Sequence, residues 1–178
     1  FIYLKGQRRL FLEYLNVAAI VIPLAQAVGR LANWTNMELY GKPTDLPWGI
    51  YVPPQFRTDT YRNNDMFHPL FIYESVLDIL LFFILWLLYQ RKTMLQDRFF
   101  SGKRDFAMKG FFTLTYLIGY GIIRFSLEFL RIETWLINNV NVAQVISIII
   151  VLAGSAGIFH IVKKRLPLPR KQSYTKPC

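Results

Sequence analysis

Three short stretches concentrate side chains able to bind and activate a charged substrate. GRLANWTNMELYG, residues 29–41, places Arg30, Asn33, Asn36 and Glu38 within nine positions. HPLFIYE, residues 68–74, contributes His68, Tyr73 and Glu74, with Asp78 one turn further on. YLIGYGIIRFSLEFLR spaces Tyr116, Tyr120, Arg124, Glu128 and Arg131 at i, i+4, i+8, i+12 and i+15. On a helix of 3.6 residues per turn those five form one polar stripe. Arg124 and Glu128 can pair, and Arg131 leaves the stripe net positive. A guanidinium grips phosphate through two parallel N–H groups, so the chemistry indicated is recognition of a phosphate-bearing anion. Metal chemistry is not indicated: the two histidines, His68 and His160, are far apart, and HExxH, CxxC, P-loop and GxSxG patterns are absent.

The surroundings of these residues are apolar. The 178-residue chain is 53% hydrophobic, 16% aromatic and 18% charged. Its apolar residues gather into four runs, Phe11–Leu31, Phe71–Tyr89, Gly110–Leu130 and Val142–Val162, each near the ~20 residues that a helix needs to cross the hydrocarbon layer. The fold expected is therefore all-α, a polytopic integral membrane protein of one domain, with four spans at about 11–31, 71–89, 110–130 and 142–162. Between the first two spans lies one long irregular loop, 32–70, turn-rich through Gly41, Pro43, Pro47 and Gly49.

Net charge is +10, and its distribution argues against nucleic acid as the partner. Basic residues precede the first span (Lys5, Arg8, Arg9), fill the 90–109 loop and follow the fourth span from Lys163. The 32–70 loop is nearly balanced. Four spans alternate sides, and every basic segment then falls on one face, which the positive-inside rule assigns to the cytoplasm. Arg30 and Asn33, His68 to Asp78, and Arg124 to Arg131 all come to the outer end. An ionisable residue at mid-bilayer costs about 2.5–3.5 kcal/mol on insertion scales, and three clusters on one face call for a reason.

Each residue also has a purely structural role open to it. The arginines can tie helices together or reach the interface, His68 can cap a helix whose first turn begins at Pro69, and Tyr73 can anchor at the interface. Asn33, Asn36 and Glu38 can end the first helix. Gly119 and Gly121 read as a close helix approach. His160 reads as structural, as does Cys178, the only cysteine, which permits no internal disulfide.

The three motifs, in this order, resemble those of the prolipoprotein diacylglyceryl transferase family. GRLANWTNMELYG followed by PTDLPWG is similar to that family's signature, HPLFIYE to its His-Pro-x-x-x-Tyr-Glu motif, and YGIIRFSLEFLR to its Tyr-Gly-x-x-Arg-Phe-x-x-Glu-x-x-Arg motif. The likeness covers nearly the whole chain apart from the basic loop and tail. It implies transfer of a diacylglyceryl group from phosphatidylglycerol to the lipobox cysteine of a preprolipoprotein, in the bacterial inner membrane with the site facing outward, with no cofactor. It further implies that Arg30, Asn33, Glu38 and Gly41 belong to the functional signature and that Arg124, Glu128 and Arg131 form a second cluster. On that basis Arg30 and Arg124 are expected to clamp the phosphate, Glu38 and Glu128 to orient them, and Asn33 to bond the headgroup. Asn36, Gly41, Tyr73, Tyr120 and Arg131 would complete the substrate site, with His68 as candidate proton acceptor. Ala32 replaces the family's usual Gly, and the family's N-terminal His-Gly motif and early Tyr are not in this sequence. The expectation is a chain lacking the N-terminal part of the enzyme. A channel or transporter, or a non-catalytic binder of anionic lipid, remains the alternative.

Overall fold

Four helices account for most of the described residues, 8–91 and 110–163 of the computed structural model: α1 (Arg8–Asn36), α2 (Leu70–Gln90), α3 (Phe111–Leu127) and α4 (Val142–Lys163). The basic loop after Arg91, the tail after Lys163 and the first seven residues, with the expectations attached to them, lie outside the described residues. Phe11–Asn36 of α1, α2 and α4 are long and apolar enough to cross a membrane. α3 has 17 residues and continues into a 3-10 turn, Glu128–Leu130. This is an all-α membrane protein, as its hydropathy requires.

The core joins three helices: Ile20 of α1, Leu70, Leu81 and Leu85 of α2, and Phe112, Ile123 and Leu127 of α3. Small and polar residues let the backbones approach. The Ser75 hydroxyl donates to the Ala27 carbonyl across α1 and α2, at 3.0 Å. A Cβ on Gly121 would lie 2.9 Å from Val151 and 3.2 Å from the Ser147 carbonyl of α4, so the expected role of this glycine in close helix packing is what the structure has. The remaining faces of α1 and α4 leave Val17, Val21, Val28, Ile148, Ile149 and Leu152 exposed, the composition a hydrocarbon environment favours.

One boundary and the character of the first connection differ from those expected. α1 runs through Asn36, so Ala32–Asn36 are helical and the connecting segment starts at Met37. Trp34 holds the extra turn by packing edge-on against Phe71 of α2, with ring centroids 5.4 Å apart, and the helix ends only where Met37 turns left-handed, at φ 51°. Nor is the connection irregular throughout. Strands β1 (Ile50–Tyr51) and β2 (Met66–Phe67) pair antiparallel, with 3-10 turns at Pro54–Phe56 and Asp59–Tyr61. Tyr40, Val52 and Phe67 form a second small core beneath it. Arg57 ties the loop together: its Nε donates to the Val52 carbonyl at 2.7 Å and its Nη1 to that of Arg62 at 3.1 Å, while Nη2 meets Asp65 at 2.7 Å. A second hairpin, β3 (Leu136–Ile137) with β4 (Val140–Asn141), joins α3 to α4. Its turn residues, Asn138 and Asn139, both have positive φ, as the tightest hairpin turns demand.

Candidate functional site

The C-terminal ends of α1 and α3 and the N-terminal ends of α2 and α4 meet at one end of the bundle, and the three motifs meet with them. Their meeting point is the backbone at Gly41. Its N–H donates to the His68 carbonyl at 2.8 Å, Lys42 N–H donates to the Leu130 carbonyl at 2.8 Å, and His68 N–H returns to the Lys42 carbonyl at 3.0 Å. Gly41 also forms an antiparallel bridge with Arg131. A Cβ here would stand 2.9 Å from the Leu130 carbonyl and 3.0 Å from the His68 Cβ. Gly41 is thus required by a close crossing of three segments, a role that needs no contact with substrate.

Two ion pairs occupy this end. Arg30 Nη2 lies 2.7 Å from Glu74 Oε1, with the Glu74 side chain 4% exposed. Arg124 Nη2 lies 3.1 Å from Glu128 Oε2, with Glu128 1% exposed. That second contact is a charge pairing without hydrogen-bond alignment, because Glu128 Oε2 has no hydrogen-bond partner among the described residues. Arg131 Nε approaches the same oxygen at 3.9 Å, and Asn141 Nδ2 donates to Oε1 at 3.2 Å. Burial first, and then the Arg124 guanidinium, push the Arg131 pKa below its ordinary value, with Glu128 opposing. Arg30 and Glu74 also act on Arg131, so the two pairs share one electrostatic neighbourhood.

This corrects the expected pairing of Glu38 with Arg30. Glu38 leaves the helix and accepts from Asn36 Nδ2 at 2.9 Å, while the partner of Arg30 is Glu74, on the next helix. The single stripe on the third span is corrected as well. Arg131 lies past the helix in extended backbone, φ −75° and ψ 139°, and its side chain reaches Glu128 from there. Tyr120 stacks on Tyr116 at 5.9 Å between centroids, and Tyr116 donates to Gln26 Oε1 at 3.2 Å. Asn33 Nδ2 is buried with no hydrogen-bond partner among the described residues. His68 Nδ1 is 3.2 Å from the Tyr73 hydroxyl, which also accepts from Trp48 Nε1 at 2.7 Å. The tautomer of His68 sets which of the two groups, Nδ1 or the Tyr73 hydroxyl, donates in that contact. In the sequence Glu74 is open as a partner for Arg30 or Arg131, and the structure gives it to Arg30. Trp48 and Asn141 are not among the expected site residues. Trp48 belongs to the LPWG segment that follows the signature, whereas nothing local to Asn141 connects it to Glu128.

No group of three or more metal-binding side chains forms among the described residues. What fold and site define together is an α-helical membrane protein that assembles two arginine–carboxylate pairs at one end of its bundle. The sequence profile of the family described as prolipoprotein diacylglyceryl transferase matches residues 1–160, and the chain belongs to that family. The phosphatidylglycerol–prolipoprotein diacylglyceryl transferase of Fervidobacterium nodosum is 38% identical over 166 residues, which are 92% of this chain and 52% of the relative. Its namesake in Thermotoga maritima is 34% identical over 167 residues, 94% and 53% of the two chains. That of Synechocystis is 38% identical over 161 residues, 88% and 53%. The chain thus spans about half the length of the curated relatives it matches. No solved structure matches it significantly.

Proposed function

We propose that the protein containing this chain is a transferase of the bacterial inner membrane. It moves the diacylglyceryl group of phosphatidylglycerol to the lipobox cysteine of a preprolipoprotein, and its site opens on the outer face. The observation that carries this reading is the pair of guanidinium groups, Arg30 and Arg124, each held by a carboxylate at most 4% exposed at the same end of the bundle.

In the reaction, the thiol sulfur attacks the glyceryl carbon esterified to phosphate. A C–S bond forms, the C–O bond to phosphate breaks, and glycerol phosphate departs with the bond's electron pair. Arg30 and Arg124 bind the phosphate and stabilise the charge it gains, an effect strongest where water is excluded. Glu74 orients Arg30, and Glu128 orients Arg124 with help from Asn141. The Asn33 amide donates to the headgroup, and Arg131 widens the positive patch. A cysteine thiol has a pKa of about 8.5, so attack needs a base. Nε2 of His68 takes the proton in the tautomer that donates from Nδ1 to Tyr73. Mass spectrometry of a lipobox peptide incubated with phosphatidylglycerol vesicles and the complete protein tests the reading. A diacylglyceryl mass increment that falls at least ~100-fold in rate with Arg124→Ala supports it. Lipid binding without any increment would make the protein a lipid binder instead.

A further inference from the structure

Trp48 is 56% exposed, so the fold gains little from burying its ring. Its indole Nε1–H donates to the Tyr73 hydroxyl at 2.7 Å, joining the loop to α2 across 25 positions of sequence. Tyr73 packs its ring on the three-helix core and holds its hydroxyl 3.2 Å from His68 Nδ1, with the two rings edge to face. An indole N–H can only donate, so the Tyr73 oxygen accepts from Trp48 in either tautomer of His68. Among the described residues, that hydroxyl is the one hydrogen-bonding partner of the imidazole. The His68 backbone is fixed by other means. Its N–H donates to the Lys42 carbonyl at 3.0 Å, and its carbonyl accepts from Gly41 and Leu70, each at 2.8 Å. What the Tyr73 contact restrains is rotation of the ring.

The turn that carries Trp48 is itself held tightly. Gly49 N–H donates to the Leu46 carbonyl at 2.9 Å, closing a β-turn with Pro47 and Trp48 at its centre, where the fixed φ of proline suits the first of the two positions. Leu46 N–H donates to Thr44 Oγ1 at 3.2 Å, and Thr44 N–H to the Met66 carbonyl of β2 at 3.0 Å. A Cβ on Gly49 would stand 3.1 Å from Thr44 Cγ2 and 3.2 Å from the Leu46 carbonyl. The geometry points to Trp48 as a positioning residue, which orients the His68 imidazole through the Tyr73 hydroxyl and so makes the folded loop part of the transfer machinery. The inference rests on the transferase reading above, with His68 taking the thiol proton. A general base works only within hydrogen-bond reach of its proton, so the angle of its ring enters kcat. An exposed Trp can also anchor a loop at the membrane interface, but anchoring uses the ring and not its N–H.

The test replaces Trp48 by benzothienylalanine, which keeps the shape of the indole and puts sulfur in place of N–H. The complete protein is assayed in phosphatidylglycerol proteoliposomes with a lipobox peptide. The expected result is a fall in kcat of about 5-fold, the scale of one neutral hydrogen bond. The KM values for peptide and lipid and the thermal midpoint stay unchanged. In a Tyr73→Phe background, itself slower, the same replacement costs nothing more, since residues acting through one contact are not additive. An unchanged kcat makes Trp48 an interfacial anchor and overturns the inference, as do additive losses in the two backgrounds. Both outcomes leave the transferase reading intact. Absence of any transfer by the unaltered protein would instead remove that reading, and the role of Trp48 with it.

Discussion

Glu74 holds Arg30 from the neighbouring helix, and Glu128 holds Arg124 from the next turn of its own. A buried carboxylate that loses its charge leaves an arginine uncompensated, and breaking such a pair is strongly destabilising, by about 3–5 kcal/mol when both partners are buried. Arg30 is 25% exposed, so the loss at this pair is smaller. Glu74→Gln keeps the shape of the side chain and removes the charge. The expected outcome is a fall of about 10-fold or more in kcat with a modest drop in the thermal midpoint. Glu38→Gln, with its side chain on Asn36 rather than on an arginine, leaves the midpoint nearly unchanged. Equal losses of stability in the two variants would contradict the pairing seen here.

Gly41 acts at the scale of elements, because its backbone sits where the loop after α1, the entry to α2 and the exit from α3 cross. Adding one methyl group there forces the Leu130 carbonyl or the His68 Cβ to move. Overpacking of this kind costs about 1–3 kcal/mol. Gly41→Ala is expected to lower the unfolding midpoint and to abolish most transfer, since the displaced segments carry His68 and Arg131. Full activity together with unchanged stability would show that the crossing tolerates a side chain. Gly121 makes the corresponding approach between α3 and α4. Gly121→Leu should separate those helices, measured as loss of thermal stability in detergent. Arg57 is the organiser of the loop hairpin. Arg57→Ala removes two carbonyl bonds and an ion pair at once, and faster proteolysis between residues 52 and 65 is the readout.

At the scale of the whole molecule, the asymmetry of charge and the gathering of polar groups at one end both concern orientation in the bilayer. Orientation is checked by labelling the complete protein, with Cys178 and any cysteine outside this sequence replaced by Ser, after adding single cysteines at each end. Asn63→Cys, on the exposed part of the loop near the site, should react with a membrane-impermeant maleimide in intact cells. His160→Cys, at the other end of α4, should react only after permeabilisation. The reverse pattern would invert the topology and turn the site toward the cytoplasm.

Hydropathy and charge placement, read along the chain, determined the all-α membrane class and the common end of the polar motifs. They led to four expected spans, and among the described residues three helices are long and apolar enough to cross a membrane. These follow from properties that a segment carries by itself: length, apolar content and periodicity. The motif resemblance supplied the family, and the spacing of Arg124 and Glu128 already made their pair legible, because i and i+4 share a helix face. Only the tertiary structure decided that Arg30 pairs with Glu74 and not with Glu38. It alone placed Asn141 on Glu128, brought Arg131 back from extended backbone to the same carboxylate, and made Gly41 a packing requirement. The physical reason is the same for all four. Such contacts depend on how helices are rotated and crossed and on where a helix yields to a turn, and residues far apart in the chain meet only once the bundle has closed.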